Sequence, residues 1–254
     1  MALLAFVFLF GAVVGSFLNV CIYRLPAGKS IVFPPSSCPA CSTLIRWYDN
    51  IPILGWLVLR GRCRACQAPI AKQYPLVELL NGLLTLALFY RFGPTSTFAV
   101  LWVFCCALVV ITFIDLEHQI IPDVISLPGI ALGFISSSFL PWLSWSNSLI
   151  GLVAGGGVLL LVAYGYEFLT KKEGMGGGDV KLLAMMGAFL GWRAVPFILF
   201  AASLVGSVIG VSLMLAQKKD GKLAIPFGPF LAFGAVLYIF YGRQIITWYL
   251  GLGR

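Results

Sequence analysis

The residues that could do chemistry in this chain are two aspartates and four cysteines. Asp115 closes the apolar run ALVVITFID, and Asp179 follows a run of glycines in GMGGGDVKLL, at the start of another apolar stretch. An ionisable group at membrane depth is costly unless paired or hydrated, so each is a candidate functional acid. Two such acids at one depth suit an aspartic protease dyad. Like charges a few ångströms apart resist joint ionisation and share a proton. One carboxylate then acts as base toward a water, while the protonated one donates to the carbonyl oxygen and later helps the leaving amine. Position alone leaves plainer readings open: acids at helix ends are common interfacial groups, and glycines before a charge also describe a solvated linker.

The neighbours of the two aspartates carry weaker signals. Gly176 and Gly178 permit positive φ and let a substrate backbone come close. Lys181 lies two positions beyond Asp179, so on a helix it faces elsewhere; it snorkels to the interface, with tuning the dyad or meeting a substrate acid as its alternatives. Glu117 and His118 are either substrate contacts or exposed polar groups at a helix end. Asp123 follows Pro122, which breaks any helix continuing from Asp115, and is left outside the dyad. A transporter using the aspartates to relay protons or hold a cation is the rival function. It would favour internal repeats and acids at mid-membrane depth; no convincing repeat is visible, and both acids fall at the inner edge.

Four of the seven cysteines form two knuckles, CPAC with Cys38 and Cys41, and CRAC with Cys63 and Cys66. Paired C-x-x-C turns at this spacing match a tetrahedral Cys₄ zinc site. A metal there can hold together a segment with little core of its own. Disulfides are the competing reading, disfavoured in a reducing compartment, and unliganded thiols are a third. A closed Cys₄ site has no open coordination position, which assigns the metal to folding. Cys21, Cys105 and Cys106 lie in apolar runs and read as small buried hydrophobes.

The elements that must position these groups are membrane helices. The 254 residues are 60% hydrophobic and 10% charged, with mean hydropathy +0.99; a soluble domain carries roughly 25% charged residues. Apolar segments near 3–23, 76–91, 98–115, 121–140, 149–169, 180–192, 195–216 and 225–241 predict an all-α polytopic membrane protein of about eight transmembrane helices. The sixth is short. It must begin inside the glycine run, lie tilted, or form a half-helix in a protein-lined cavity. The first is no cleaved signal peptide, since its basic residues follow the apolar run. The expected division is a first helix over 1–23, a cysteine loop over 24–75 and a membrane domain over 76–254.

Segment 24–75 holds Arg24, Lys29, Arg46, Arg60, Arg62, Arg64 and Lys72 out of 17 basic residues, and the positive-inside rule places it in the cytoplasm. Lys171, Lys172 and Lys181, then Lys218, Lys219 and Lys222, fall on the same side. The net charge of +8 is thereby explained by contact with inner-leaflet lipid and needs no nucleic acid. Trp47, Tyr48 and Trp56 suit the membrane interface. Asp49, Glu173 and Asp220 read as solvated, whereas burial of Glu78, at the opening of the second span, would require a partner.

The ordered set GSFLNVCIYRLP, CPAC…WYDNIP…RGRCRAC, YPLVEL, DLEHQIIPD and GGGDVKLL resembles the bacterial type IV prepilin peptidases, and GGGD at 176–179 fits the G-x-G-D signature of intramembrane aspartyl proteases. The resemblance implies an enzyme of the bacterial inner membrane. It would cleave the basic leader of type IV prepilins and pseudopilins at the cytoplasmic face, then N-methylate the new amino terminus with S-adenosylmethionine. It also implies that Asp115 and Asp179 are the catalytic pair and that Cys38, Cys41, Cys63 and Cys66 bind metal. Gly55 stands where many relatives would carry serine, a small-for-small change expected to be neutral. No G-x-G-x-x-G stretch in a strand–turn–helix setting is present for the methyl donor. Elimination puts that cofactor near the cysteine loop and the first two spans, with Asp49, Asn50 and Glu78 as polar candidates; anchoring the loop is their alternative role. A peptidase without methylation is the remaining variant.

Overall fold

The apolar segments become helices because a backbone in hydrocarbon must satisfy its own hydrogen bonds. A computed structural model describes residues 1–171, 176–217 and 225–251; Lys172, Glu173, Lys218, Lys219, Asp220 and Lys222 lie outside them. The helices are α1 Ala2–Arg24, α2 Leu54–Val58, α3 Gln73–Phe92, α4 Ser96–His118, α5 Asp123–Ser136, α6 Trp145–Thr170, α7 Gly177–Leu190, α8 Ala194–Gln217, α9 Gly228–Leu237 and α10 Arg243–Gly251, the last two joined by a π-turn. The described residues contain isolated β-bridges but no named strand.

Among the described residues six helical stretches are long and apolar enough to cross a membrane, the last running from Gly228 to Tyr249. Two of the eight expected spans are shorter: Asp123–Phe139, and α7 with 14 residues. At 1.5 Å per residue α7 is only about 21 Å long. It does begin inside the glycine run, and Val180 and all of Leu182–Leu190 are buried in protein. A helix apolar on every side is stable when protein surrounds it on every side.

The chain forms two compact units, Met1–Val110 and Ile111–Arg254. In the first, α1 packs along α3 at small residues: a Cβ on Gly15 would lie 2.8 Å from the Glu78 Cα. Buried amides stitch the two helices, with Asn81 Nδ2 donating to the Gly11 carbonyl at 2.7 Å and Asn19 Nδ2 to the Tyr74 carbonyl at 3.0 Å. In the second unit α7 is the centre, with α5 and α6 against it. A Cβ on Gly151 would lie 2.2 Å from the Gly187 carbonyl oxygen, and one on Gly155 2.4 Å from that of Leu183. Small residues thus let α6 approach the α7 backbone, as helix pairs in membranes require. Ser148 Oγ closes that seam by donating to the Ala188 carbonyl at 2.7 Å.

Candidate active site

Three chain turns converge in the second unit. Asp115 is on the last turn of α4, and the Gln119 N–H donates to the Asp115 carbonyl as the helix ends. Gln119 adopts φ +55, and Pro122 then caps α5 in an extended conformation, so the proline ends continuity as the sequence indicated. Ile121, inside this turn, reaches two other helix starts. A Cβ on Gly178 would be 2.9 Å from the Ile121 Cβ, and one on Gly228 3.5 Å from its Cδ1.

Asp115 is only 5% exposed, and its Oδ2 accepts the Gly228 N–H at 2.9 Å. Asp179 is in the first turn of α7 and is close enough to feel the Asp115 charge. The structure therefore brings together the two acids that the sequence separates widely. Among the described residues the salt bridges are Arg64–Asp49 and Lys181–Asp123, and neither involves this pair. Two carboxylates in mutual electrostatic reach without a cation between them can share a proton.

Lys181 has a partner that the sequence reading did not see. Its Nζ donates to both carboxylate oxygens of Asp123, at 2.7 and 2.8 Å. Both members of the pair remain partly exposed. The ion pair ties α7 to the start of α5, and Asp123, outside the dyad, acts one step away from it. Among the described residues nothing lies closer than 4.0 Å to where a Cβ on Gly176 would stand, whereas Gly178 is wedged against Ile121. Gly228 was missed altogether. Its available signal was IPFGPF at 225–230, a proline-flanked glycine immediately before an apolar run, which is a helix-start pattern.

In the first unit the cysteines form a second candidate centre. The Sγ atoms of Cys38, Cys41, Cys63 and Cys66 all lie within 4.8 Å of one another, and Cys38 and Cys66 are 3.8 Å apart. A tetrahedral site with Zn–S bonds of about 2.3 Å has S···S edges of about 3.8 Å. The two knuckles repeat one backbone design. Cys38 and Cys63 donate their N–H groups to Thr43 and Ala68, and their carbonyls accept from Ser42 and Gln67, which adopt φ 57 and 60. Matching bridges join Ser37 to Leu44 and Arg62 to Pro69. All seven cysteines are free thiols. Thr43, through its hydroxyl and its backbone, lowers the Cys41 thiol to about 6, the direction that metal ligation needs. This cluster could hold zinc.

The three polar candidates for a methyl donor belong to the same unit, and two are occupied in building it. Glu78 is 7% exposed and accepts the Ile53 N–H at 2.6 Å, the partner its burial requires. Ile53 has φ +63, a conformation a β-branched residue rarely adopts, and the buried carboxylate pins that turn. Asp49 takes both hydrogen bonds of the Arg64 fork, at 2.9 and 2.6 Å, and that guanidinium holds its carboxyl below the usual range. Asn50 is exposed. Gly55 proves not to be neutral toward serine: a Cβ there would lie 2.1 Å from the Asp49 carbonyl oxygen, so a side chain would force the loop backbone to move. Trp56 is part of the loop's interior, its Nε1 donating to the Ile70 carbonyl at 3.2 Å and its ring against Gly61.

Comparison with known proteins agrees with this layout. The bacterial peptidase A24 N-terminal domain matches residues 9–92, and the type IV leader peptidase family matches residues 102–211. The prepilin leader peptidase/N-methyltransferase of Aeromonas hydrophila is 41% identical over 96% of this chain and 92% of its own. The Pseudomonas aeruginosa protein of that name is 38% identical over 95% and 91%. The chain belongs to the type IV leader peptidase family. A Myxococcus xanthus relative is 43% identical over 85% of this chain and 64% of its own. The first family match spans the cysteine knuckles, and the second spans both aspartates. No solved structure matches.

Proposed function

We propose that this chain is a bifunctional membrane enzyme that removes the leader from type IV prepilins and pseudopilins and then N-methylates the new amino terminus. The observation that carries the peptidase half is the pairing of Asp115 with Asp179 beside glycines that leave backbone space. Gly176 is the open position, where an extended peptide can lie; Gly178 sets the spacing between α7 and the turn at Ile121. Hydrolysis needs a base for water and an acid for the carbonyl oxygen, and a pair sharing one proton supplies both. Lys181 is held by Asp123, so its part in substrate recognition is to fix the start of α7.

The basic loop over 24–75 and the dyad face the cytoplasm of a bacterial inner membrane, with lipid around the apolar helices. Zinc is the structural metal of Cys38, Cys41, Cys63 and Cys66. S-adenosylmethionine is the methyl donor, and the named activities of the relatives support its use here. Asp49 and Glu78 shape its surroundings by fixing segment 46–56, and exposed Asn50 is the group free to touch it.

The test uses full-length protein, a purified prepilin and labelled S-adenosylmethionine. Asp115→Asn and Asp179→Asn should each abolish leader cleavage while zinc content and folding persist. Wild-type cleavage by both variants sinks the peptidase reading. Label absent from mature pilin after complete cleavage sinks the methyltransferase half.

A further inference from the structure

Gly228 carries no reactive side chain, yet its backbone touches the buried carboxylate of Asp115. It is the first residue of α9, so its N–H has no partner within the helix. That N–H goes to Asp115 Oδ2 at 2.9 Å. A Cβ at this position would lie 2.6 Å from the same oxygen, nearer than real Cβ atoms stand. Any residue with a side chain would push the carboxylate off the N–H. Pro229 follows and has no N–H of its own to offer.

A main-chain N–H can only donate, so it stabilises a carboxylate and not the proton of a carboxylic acid. The positive end of α9 acts in the same sense. Asp179, in the first turn of α7, also feels a helix end, but among the described residues no hydrogen bond reaches its carboxylate, which faces the charge of Asp115. The dyad is thus asymmetric in its surroundings. We propose, on the strength of the peptidase reading, that the Gly228 N–H is a positioning group that keeps Asp115 as the ionised member and leaves the shared proton on Asp179.

The roles then follow with atoms balanced. Asp115 takes a proton from water as the water oxygen bonds to the scissile carbonyl carbon, and Asp179 gives its proton to the carbonyl oxygen. In the second step the C–N bond breaks and Asp115 returns its proton to the leaving nitrogen. Asp179 recovers a proton from the collapsing diol, releasing the leader's carboxyl end and restoring the dyad. One water is consumed and no co-reactant is needed.

The titratable group facing Asp115 from α7 is Asp179. Along α4 itself Glu117 and His118 are exposed, Asp123 of α5 is paired with Lys181, and α8 and α9 contain no titratable side chain. Among the described residues, the dyad is therefore the group on which a shift in the acid limb of the cleavage profile reports. Gly228→Ala should lower kcat for prepilin cleavage about 100-fold, as misplacement of a reacting group does, with KM changed less than about twofold. The acid limb should move up by roughly one pH unit, because the ionised base loses its donor. Methyl transfer to already mature pilin should be unchanged.

Since an added Cβ could disturb α9, a second variant carries glycolic acid in place of Gly228, which removes the N–H and adds no bulk. It should shift the limb in the same direction with a loss of about tenfold. Wild-type rate and limb in the glycolic acid variant overturn the inference, as does a slow Gly228→Ala enzyme whose limb has not moved. Failure of the dyad reading looks different: cleavage would survive Asp115→Asn and Asp179→Asn.

Discussion

Buried acids meet opposite fates in the two units. In Met1–Val110, Glu78 accepts the N–H of a strained turn and Asp49 is held by the Arg64 fork, so each charge is spent on holding the loop that carries the cysteines. In Ile111–Arg254, Asp115 has one backbone donor, and its nearest charged influence on Asp179 is repulsive. A carboxylate that meets a donor or cation and no second acid is a structural part. A carboxylate whose neighbour is another carboxylate has a proton to exchange. The family assignment fits that division, since one region is built around metal-ready thiols and the other around titratable acids.

The sharpest way to break this comparison is to neutralise an acid in each unit. Asp115→Asn or Asp179→Asn should lower prepilin cleavage by about 10⁴-fold or more, measured as release of mature pilin, with zinc content unchanged. Glu78→Ala should leave cleavage within about tenfold while opening segment 46–56 to protease, because the buried Ile53 N–H loses its acceptor at a cost of about 1–3 kcal/mol. If Glu78→Ala stopped cleavage as completely as Asp115→Asn, the two acids would not differ in kind.

Crowding the α7 start comes next. Gly178→Leu must displace Ile121, and cleavage should fall about 100-fold without loss of zinc. Cys38→Ser or Cys66→Ser should release the metal and abolish methyl transfer, read by elemental analysis and label incorporation, while cleavage is largely retained. Cleavage lost together with zinc would make the cysteine unit part of the peptidase. The smallest effect belongs to Lys181→Ala. Both members of its ion pair with Asp123 are partly exposed, with 38% and 56% side-chain accessibility, and such pairs are worth about 0–1 kcal/mol. Cleavage should drop less than about fivefold, and Lys181→Asp with Asp123→Lys should restore it.

Much of this was legible in the chain because the signals are local. The apolar runs set the helices, C-x-x-C repeats set the knuckles, and Pro122 set the break after Asp115. The short sixth segment also announced its difficulty, although only its packing explained how 14 residues are accommodated: α5 and α6 bring glycines against it, so it is surrounded by protein. The partner of Lys181 was not legible, because helical spacing says what it faces on its own helix and nothing about Asp123 on another. Gly55 was underrated for the same reason, since the Asp49 carbonyl that excludes a side chain arrives from a preceding turn.

By itself, then, the sequence determined that this protein is helical, membrane-bound, equipped with paired cysteine knuckles and furnished with two acids at the edges of apolar runs. These follow from hydrophobicity, spacing and charge, which are properties of neighbouring residues. Only the tertiary structure decided that Asp115 and Asp179 share one electrostatic environment, that Ile121 is wedged between two helix starts, and that the N–H of Gly228 ends on Asp115. A glycine has no side chain to advertise a role, and its N–H becomes informative only when folding aims it at a carboxylate from a helix more than a hundred residues away.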